Sequence, residues 1–129
     1  MKLLDTNICA GILRGKREII NGYLRNAGNV AMPSMVLGEL YYGVVKSRDH
    51  EKNRRILSEL CSVIPTIQTT DQIMKKYGEL RANLETKGTR VEDADLIIAA
   101  TAIVHNATLV TGNIRHFARF NELSIENWE

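Results

Sequence analysis

Asp5, Glu39 and Asp95 are three carboxylates placed where a folded chain could gather them. Asp5 follows Lys2-Leu3-Leu4, a run suited to a short first strand. In open α/β folds the carboxyl ends of the strands form the usual edge of a site. The same aspartate could instead cap the helix that follows, by accepting bonds from free backbone amides. Glu39 lies inside a helical stretch between Gly38 and Leu40. Gly38 and Gly43 are unfavourable in a helix interior and leave room beside Glu39 for another backbone or a ligand. A solvent-facing glutamate is the plain alternative. Asp95 opens the nearly uncharged segment Asp95-Leu96-Ile97-Ile98-Ala99-Ala100-Thr101-Ala102. A helix N-terminus stabilises a carboxylate there, and the same end could face a cleft. Asp93 competes with Asp95 for both roles.

Together these acids suit a hard divalent cation. Mg²⁺ prefers oxygen ligands, keeps several waters and shares its coordination with substrate phosphates. Mn²⁺ accepts the same donors. No Cys/His pattern recommends zinc, and His50, His105 and His116 read as surface or capping residues. Thr111 and Asn113 follow the segment Thr108-Leu109-Val110 and are accessory candidates, although Gly112-Asn113 would also serve as a simple turn. An attacking hydroxide and a phosphodiester are both anionic, so carboxylates alone would repel both. A bound cation reverses that field. Basic residues should border such a site and hold phosphates in a salt-sensitive way. Arg14, Arg54, Arg55 and Arg115 are the candidates, with solvated helix faces as the alternative.

The elements that must position these residues are legible as periodicities. Strands are expected at Lys2–Leu4, Val30–Met32, Val63–Ile64, Thr108–Thr111 and Ser124–Ile125. Helices are expected from Asn7 to Leu13 with Thr6 as cap, from Lys16 to Arg25, and from Met35 to Val45 with Ser34 as cap. Further helices should run from His50 to Cys61, from Asp71 to Thr86 with Thr70 as cap, and from Asp93 to His105. Ile114 to Phe120 reads as a short helix or loop. Short apolar strands separated by helices argue for a mostly parallel sheet with helical cover. Of Tyr41 and Tyr42, one is expected in the core and the other at a partner, while Trp128 should anchor the tail.

The totals agree with one domain spanning residues 1–129. Charged residues make up 25% of the chain and hydrophobic ones 44%, which excludes extensive disorder. The formal charge of +2 is too small to reveal a partner. Cys9 and Cys61 form neither a metal-ligand repeat nor a disulfide framework and read as buried thiols. Without a signal-like or membrane-spanning run, a cytoplasmic protein is the expectation.

Four segments carry a resemblance across essentially the whole chain. They are Leu4-Asp5-Thr6-Asn7, Ser34 to Gly43 around Glu39, Asp93-Ala94-Asp95 to Ala102, and Leu109 to Asn113 followed by His116-Phe117. In this order and at these distances they resemble the motifs of PIN-domain ribonucleases, the toxins of VapBC-type toxin–antitoxin pairs. The resemblance implies a three-layer α/β/α sandwich with a central, mostly parallel sheet of about five strands. It places the metal-binding acids on Asp5, Glu39 and Asp95. The fourth motif often carries another aspartate, and Asn113 stands there in this chain. It further implies Mg²⁺- or Mn²⁺-dependent hydrolysis of RNA, leaving a 5′-phosphate and a 3′-hydroxyl. The implied partners are a second copy of the chain and a small antitoxin, with promoter DNA reached only through that antitoxin. Rival readings are a catalytically weak module whose acidic pocket receives a basic partner tail, a stand-alone RNA-processing nuclease, and a metal-dependent phosphatase.

Overall fold

The computed structural model describes residues 1–129. The first half of the chain folds as β1 (Lys2–Leu4), α1 (Thr6–Leu13), α2 (Arg17–Arg25), β2 (Val30–Pro33), α3 (Ser34–Lys46) and α4 (His50–Val63). The second half follows as β3 (Thr66–Ile67), α5 (Asp71–Thr86), α6 (Asp93–Val104), β4 (Thr108–Val110), α7 (Ile114–Phe117) and β5 (Ser124–Glu126). The strands form one sheet in the order β3-β2-β1-β4-β5, and every pairing is parallel. Leu3 lies opposite Ala31 on one side and Leu109 on the other. The central strands are apolar along their length because helices cover both faces.

The strand order records a reversal. The chain winds outward from β1 through β2 to β3, then returns to place β4 on the other side of β1. Because such crossovers are right-handed, helices before and after the reversal fall on opposite faces. Accordingly α1 packs with α2, α3 and α4, whereas α5 packs chiefly with α6. The result is the expected α/β/α sandwich. Its core joins Leu3, Leu4, Met32, Leu109 and Val110 of the sheet to Ile8, Ile19, Val36 and Leu57 on one side and Ile73, Leu96 and Ile98 on the other. Helix α6 is buried over most of its surface, as its apolar sequence requires.

Several local expectations need correction. The third strand is Thr66–Ile67 rather than Val63–Ile64. Residues before proline are pushed out of the helical region, so α4 stops at Val63 with Ile64 as its extended C-cap, and the ladder begins at the Pro65 carbonyl, which accepts the Met32 N–H at 2.9 Å. Asp5, not Thr6, caps α1, and Ser34 is the first residue of α3, its hydroxyl bonded to that of Thr69. Tyr41 and Tyr42 are both exposed, together with Val45 on the same helix. Cys9 is buried but Cys61 only half-buried, and both are free thiols. Trp128 is buried as expected and lies against Gly22.

Candidate active site

The reversal in strand order opens a crevice between β1 and β4 at their carboxyl ends, the place where open α/β sheets bind ligands. Asp5 leaves β1 there, and Thr111, Gly112 and Asn113 leave β4. Asp5 is only 6% exposed, and both its carboxylate oxygens are engaged. Oδ1 accepts the backbone N–H of Thr6 at 2.8 Å, and Oδ2 accepts the Thr111 hydroxyl at 2.7 Å. Thr111 has one proton to give. Having given it to Asp5, its oxygen accepts the N–H of Asn113 at 3.0 Å. The Asp5 side chain thus caps α1 and lies within reach of the charges of Glu39 and Asp95.

Glu39 stands three residues after buried Val36 and one before buried Leu40, on the flank of α3 between core and solvent. The Thr6 hydroxyl donates to its Oε1 at 2.5 Å. Thr6 therefore ties the first acid to the second, through its amide on one side and its hydroxyl on the other. Gly38 and Gly43 meet open space rather than another backbone, so the room expected beside Glu39 is solvent. Asp95 sits in the first turn of α6. Burial drives the Asp5 carboxyl above its ordinary value. Its hydrogen bonds to Thr111 and Thr6 oppose that rise, and the charges of Asp95 and Glu39 add to it. Asp5 is thus near enough to both Glu39 and Asp95 to feel their charge.

Each carboxylate oxygen of Asp5 keeps a lone pair beyond its one hydrogen bond, and Glu39 Oε2 accepts none within the protein. The donor set is wholly oxygen, which fits Mg²⁺ or Mn²⁺. The acids do not, however, close into a cluster of metal-ligand spacing. A cation that keeps its waters and borrows phosphate oxygens does not require such a cage.

His116 is the residue that sequence reasoning set aside. On α7, its Nε2 lies 2.8 Å from Asp95 Oδ2. The approach is off the line of a hydrogen bond, so this buried nitrogen has no hydrogen-bond partner. Its place one helical turn after Asn113 was the available signal. Thr6 was also missed, having been read as a backbone cap alone. Asp93 is drawn elsewhere, since its Oδ1 accepts the Tyr77 hydroxyl at 2.7 Å and faces Arg81 at 3.5 Å.

The basic candidates divide. Arg14 lines a cleft with Asn113, and Arg115 lies two residues beyond it, exposed on α7. Arg54 pairs with Glu51 on the solvent face of α4, and Arg55 is exposed beside it. Neither bonds to the acids.

The model of the family described as "PIN domain" matches residues 2–123. The chain is 42% identical over 130 residues to "Ribonuclease VapC2" of Rickettsia felis, covering 98% of this chain and 97% of that protein. It is 33% identical over 127 residues to the "tRNA(fMet)-specific endonuclease VapC" of Salmonella typhimurium, covering 98% and 96%. Among solved structures, VapBC2 of Rickettsia felis bound to a DNA fragment from its promoter superposes with a TM-score of 0.94 at 40% identity, over 99% of this chain and 98% of that one. DNA-bound VapBC of Salmonella typhimurium superposes with a TM-score of 0.94 at 32% identity, over the same shares.

Proposed function

We propose a function from one premise: the chain belongs to the PIN-domain family, among its VapC-like ribonuclease toxins. The protein is a Mg²⁺- or Mn²⁺-dependent endoribonuclease that hydrolyses RNA phosphodiesters and acts as the toxin of a toxin–antitoxin pair. The observation that carries this reading is a buried Asp5 at the sheet's switch point, near enough to Glu39 and Asp95 to feel the charge of each.

Asp5, Glu39 and Asp95 would hold the cation. When bound, it supplies positive charge to the scissile phosphate and acidifies an attacking water. The chain's own residues do the positioning. Thr111 and Thr6 fix the two oxygens of Asp5, and Thr6 also fixes Glu39. Locking these rotamers keeps Asp5 and Glu39 from swinging apart. His116 stands against Asp95, its Nε2 2.8 Å from Oδ2. Asn113 has its amide N–H tied to Thr111 while its side chain is exposed beside the cleft, ready for a substrate group. Arg14 and Arg115 supply flanking positive charge for the RNA backbone.

The partners in this reading are an RNA, a small cognate antitoxin and a second copy of the chain. Promoter DNA is reached through the antitoxin alone. The solved structures of VapBC2 from Rickettsia felis and of VapBC from Salmonella typhimurium support it, each being bound to DNA. No helix is long and apolar enough to cross a membrane. Incubation with a panel of structured RNAs in Mg²⁺, Mn²⁺ or chelator tests the enzymatic reading. Cleavage confined to the metal-containing reactions is expected, and cleavage that survives in chelator would overturn it.

A further inference from the structure

We propose that the polar cleft between α1 and the Gly112-Asn113 turn is a subsite for an RNA backbone phosphate, and that the Glu129 side chain occupies it in the free protein. This rests on the ribonuclease reading and adds where the strand runs. The cleft measures about 380 Å³ and is lined by Asn7, Arg14, Lys16, Gly112, Asn113 and Glu129, none of them apolar. With no aromatic or aliphatic wall it offers nothing for a base to stack on. Amide groups and cations are the donors that phosphate oxygens take.

The charges favour an anion. Arg14 and Lys16 line the cleft with the Glu129 side-chain carboxylate. Arg14 makes no ion pair within the protein, and Lys16 Nζ stands 3.8 Å from Glu129 Oε1. An exposed pair of that length is weakly held, so a polyanion can displace it. Gly112 marks where the anion sits. A Cβ on this residue would overlap the Glu129 carboxylate, so a negatively charged group already nests against a backbone bared by glycine. Asn7 in the first turn of α1 and Arg14 at its C-cap are two helical turns apart and so span about 10 Å. The opposite wall is continuous with the acids, because Asn113 bonds Thr111 and Thr111 bonds Asp5. A strand whose phosphate lay here would enter the crevice directly.

Binding of a labelled, mixed-sequence single-stranded RNA, measured by anisotropy in chelator, separates this subsite from the chemistry. Glu129→Gln should tighten binding about threefold and steepen its salt dependence by about 0.7 in the log–log slope. Lys16→Gln should weaken binding by a similar factor and shrink the effect of Glu129→Gln in the double variant. Inorganic phosphate should compete only at large excess, and both RNA and phosphate should move the amide resonances of Gly112 and Asn113. RNA affinity indifferent to both substitutions, in a wild type that cleaves RNA, would overturn the subsite and leave the nuclease. Amide shifts with phosphate but none with RNA would overturn the assignment to RNA. The expected affinity changes without any metal-dependent cleavage would overturn the nuclease reading and keep the subsite.

Discussion

Asp5 uses both carboxylate oxygens inside the protein and still faces two other acids, and this sets a pH dependence that can be read without substrate. Its carboxyl titrates above the ordinary value of 3.8 because burial and the charges of Asp95 and Glu39 outweigh its hydrogen bonds. The native state therefore binds this proton more tightly than the unfolded chain does. The stability it confers is fully present below the unfolded value and is lost as pH rises through the higher native value. Asp5→Asn removes the charge, so its melting temperature relative to wild type should rise with pH across that window. Thermal melts in chelator between about pH 3 and about pH 7 check this. A difference that stays flat with pH would contradict the account of Asp5. Sequence alone left Asp5 open between cap and site, because backbone periodicity cannot tell what a side chain meets from another strand. For the same reason Thr6 and His116 were passed over, since Glu39 and Asp95 reach them only through the fold.

At the scale of elements, the tail is held by one close approach. Trp128 is buried against α2 where Gly22 has no side chain, and its indole N–H donates to Glu126 at 3.0 Å. A Cβ at Gly22 would stand 2.6 Å from Trp128 Cγ, and a buried indole cannot step aside. Gly22→Ala should therefore destabilise by about 1 to 3 kcal/mol through overpacking. Equilibrium denaturation would read this as a lower midpoint, and an unchanged midpoint would mean that the tail is not seated there. Glu126 also pairs with Lys2, reaching from β5 past β4 to β1, which holds its carboxyl below the usual range. Periodicity located the first six helices and four of the five strands, because apolar spacing is a local property, and left Ile114–Phe117 open between helix and loop. It misplaced β3, whose start is dictated by the proline before it, and it put one of two adjacent tyrosines in the core although both lie outside.

At the scale of the whole molecule, α3 leaves Tyr41, Tyr42 and Val45 exposed within one or two turns of Glu39. Apolar exposure of this kind fits the proposed second copy or antitoxin. Light scattering over a range of concentrations should find a dimer of the free protein, and a monomer at every concentration would reject an obligate dimer. The small net charge of +2 gives little global pull on RNA, so affinity must come from local groups such as Arg14 and Arg115 and from the bound cation. The fold class was legible because strand–helix alternation determines the layers, and the four acidic and polar motifs were legible in order. Their convergence was implied by the resemblance and not by periodicity, since it depends on β4 inserting beside β1 rather than beyond β3. The most direct test is cleavage of structured RNAs by Asp5→Asn, Glu39→Gln and Asp95→Asn, purified alongside wild type. These changes nearly keep shape and remove charge. Each variant should stay folded and lose cleavage by about a hundredfold or more in Mg²⁺ or Mn²⁺, and undiminished cleavage by all three folded variants would contradict the account.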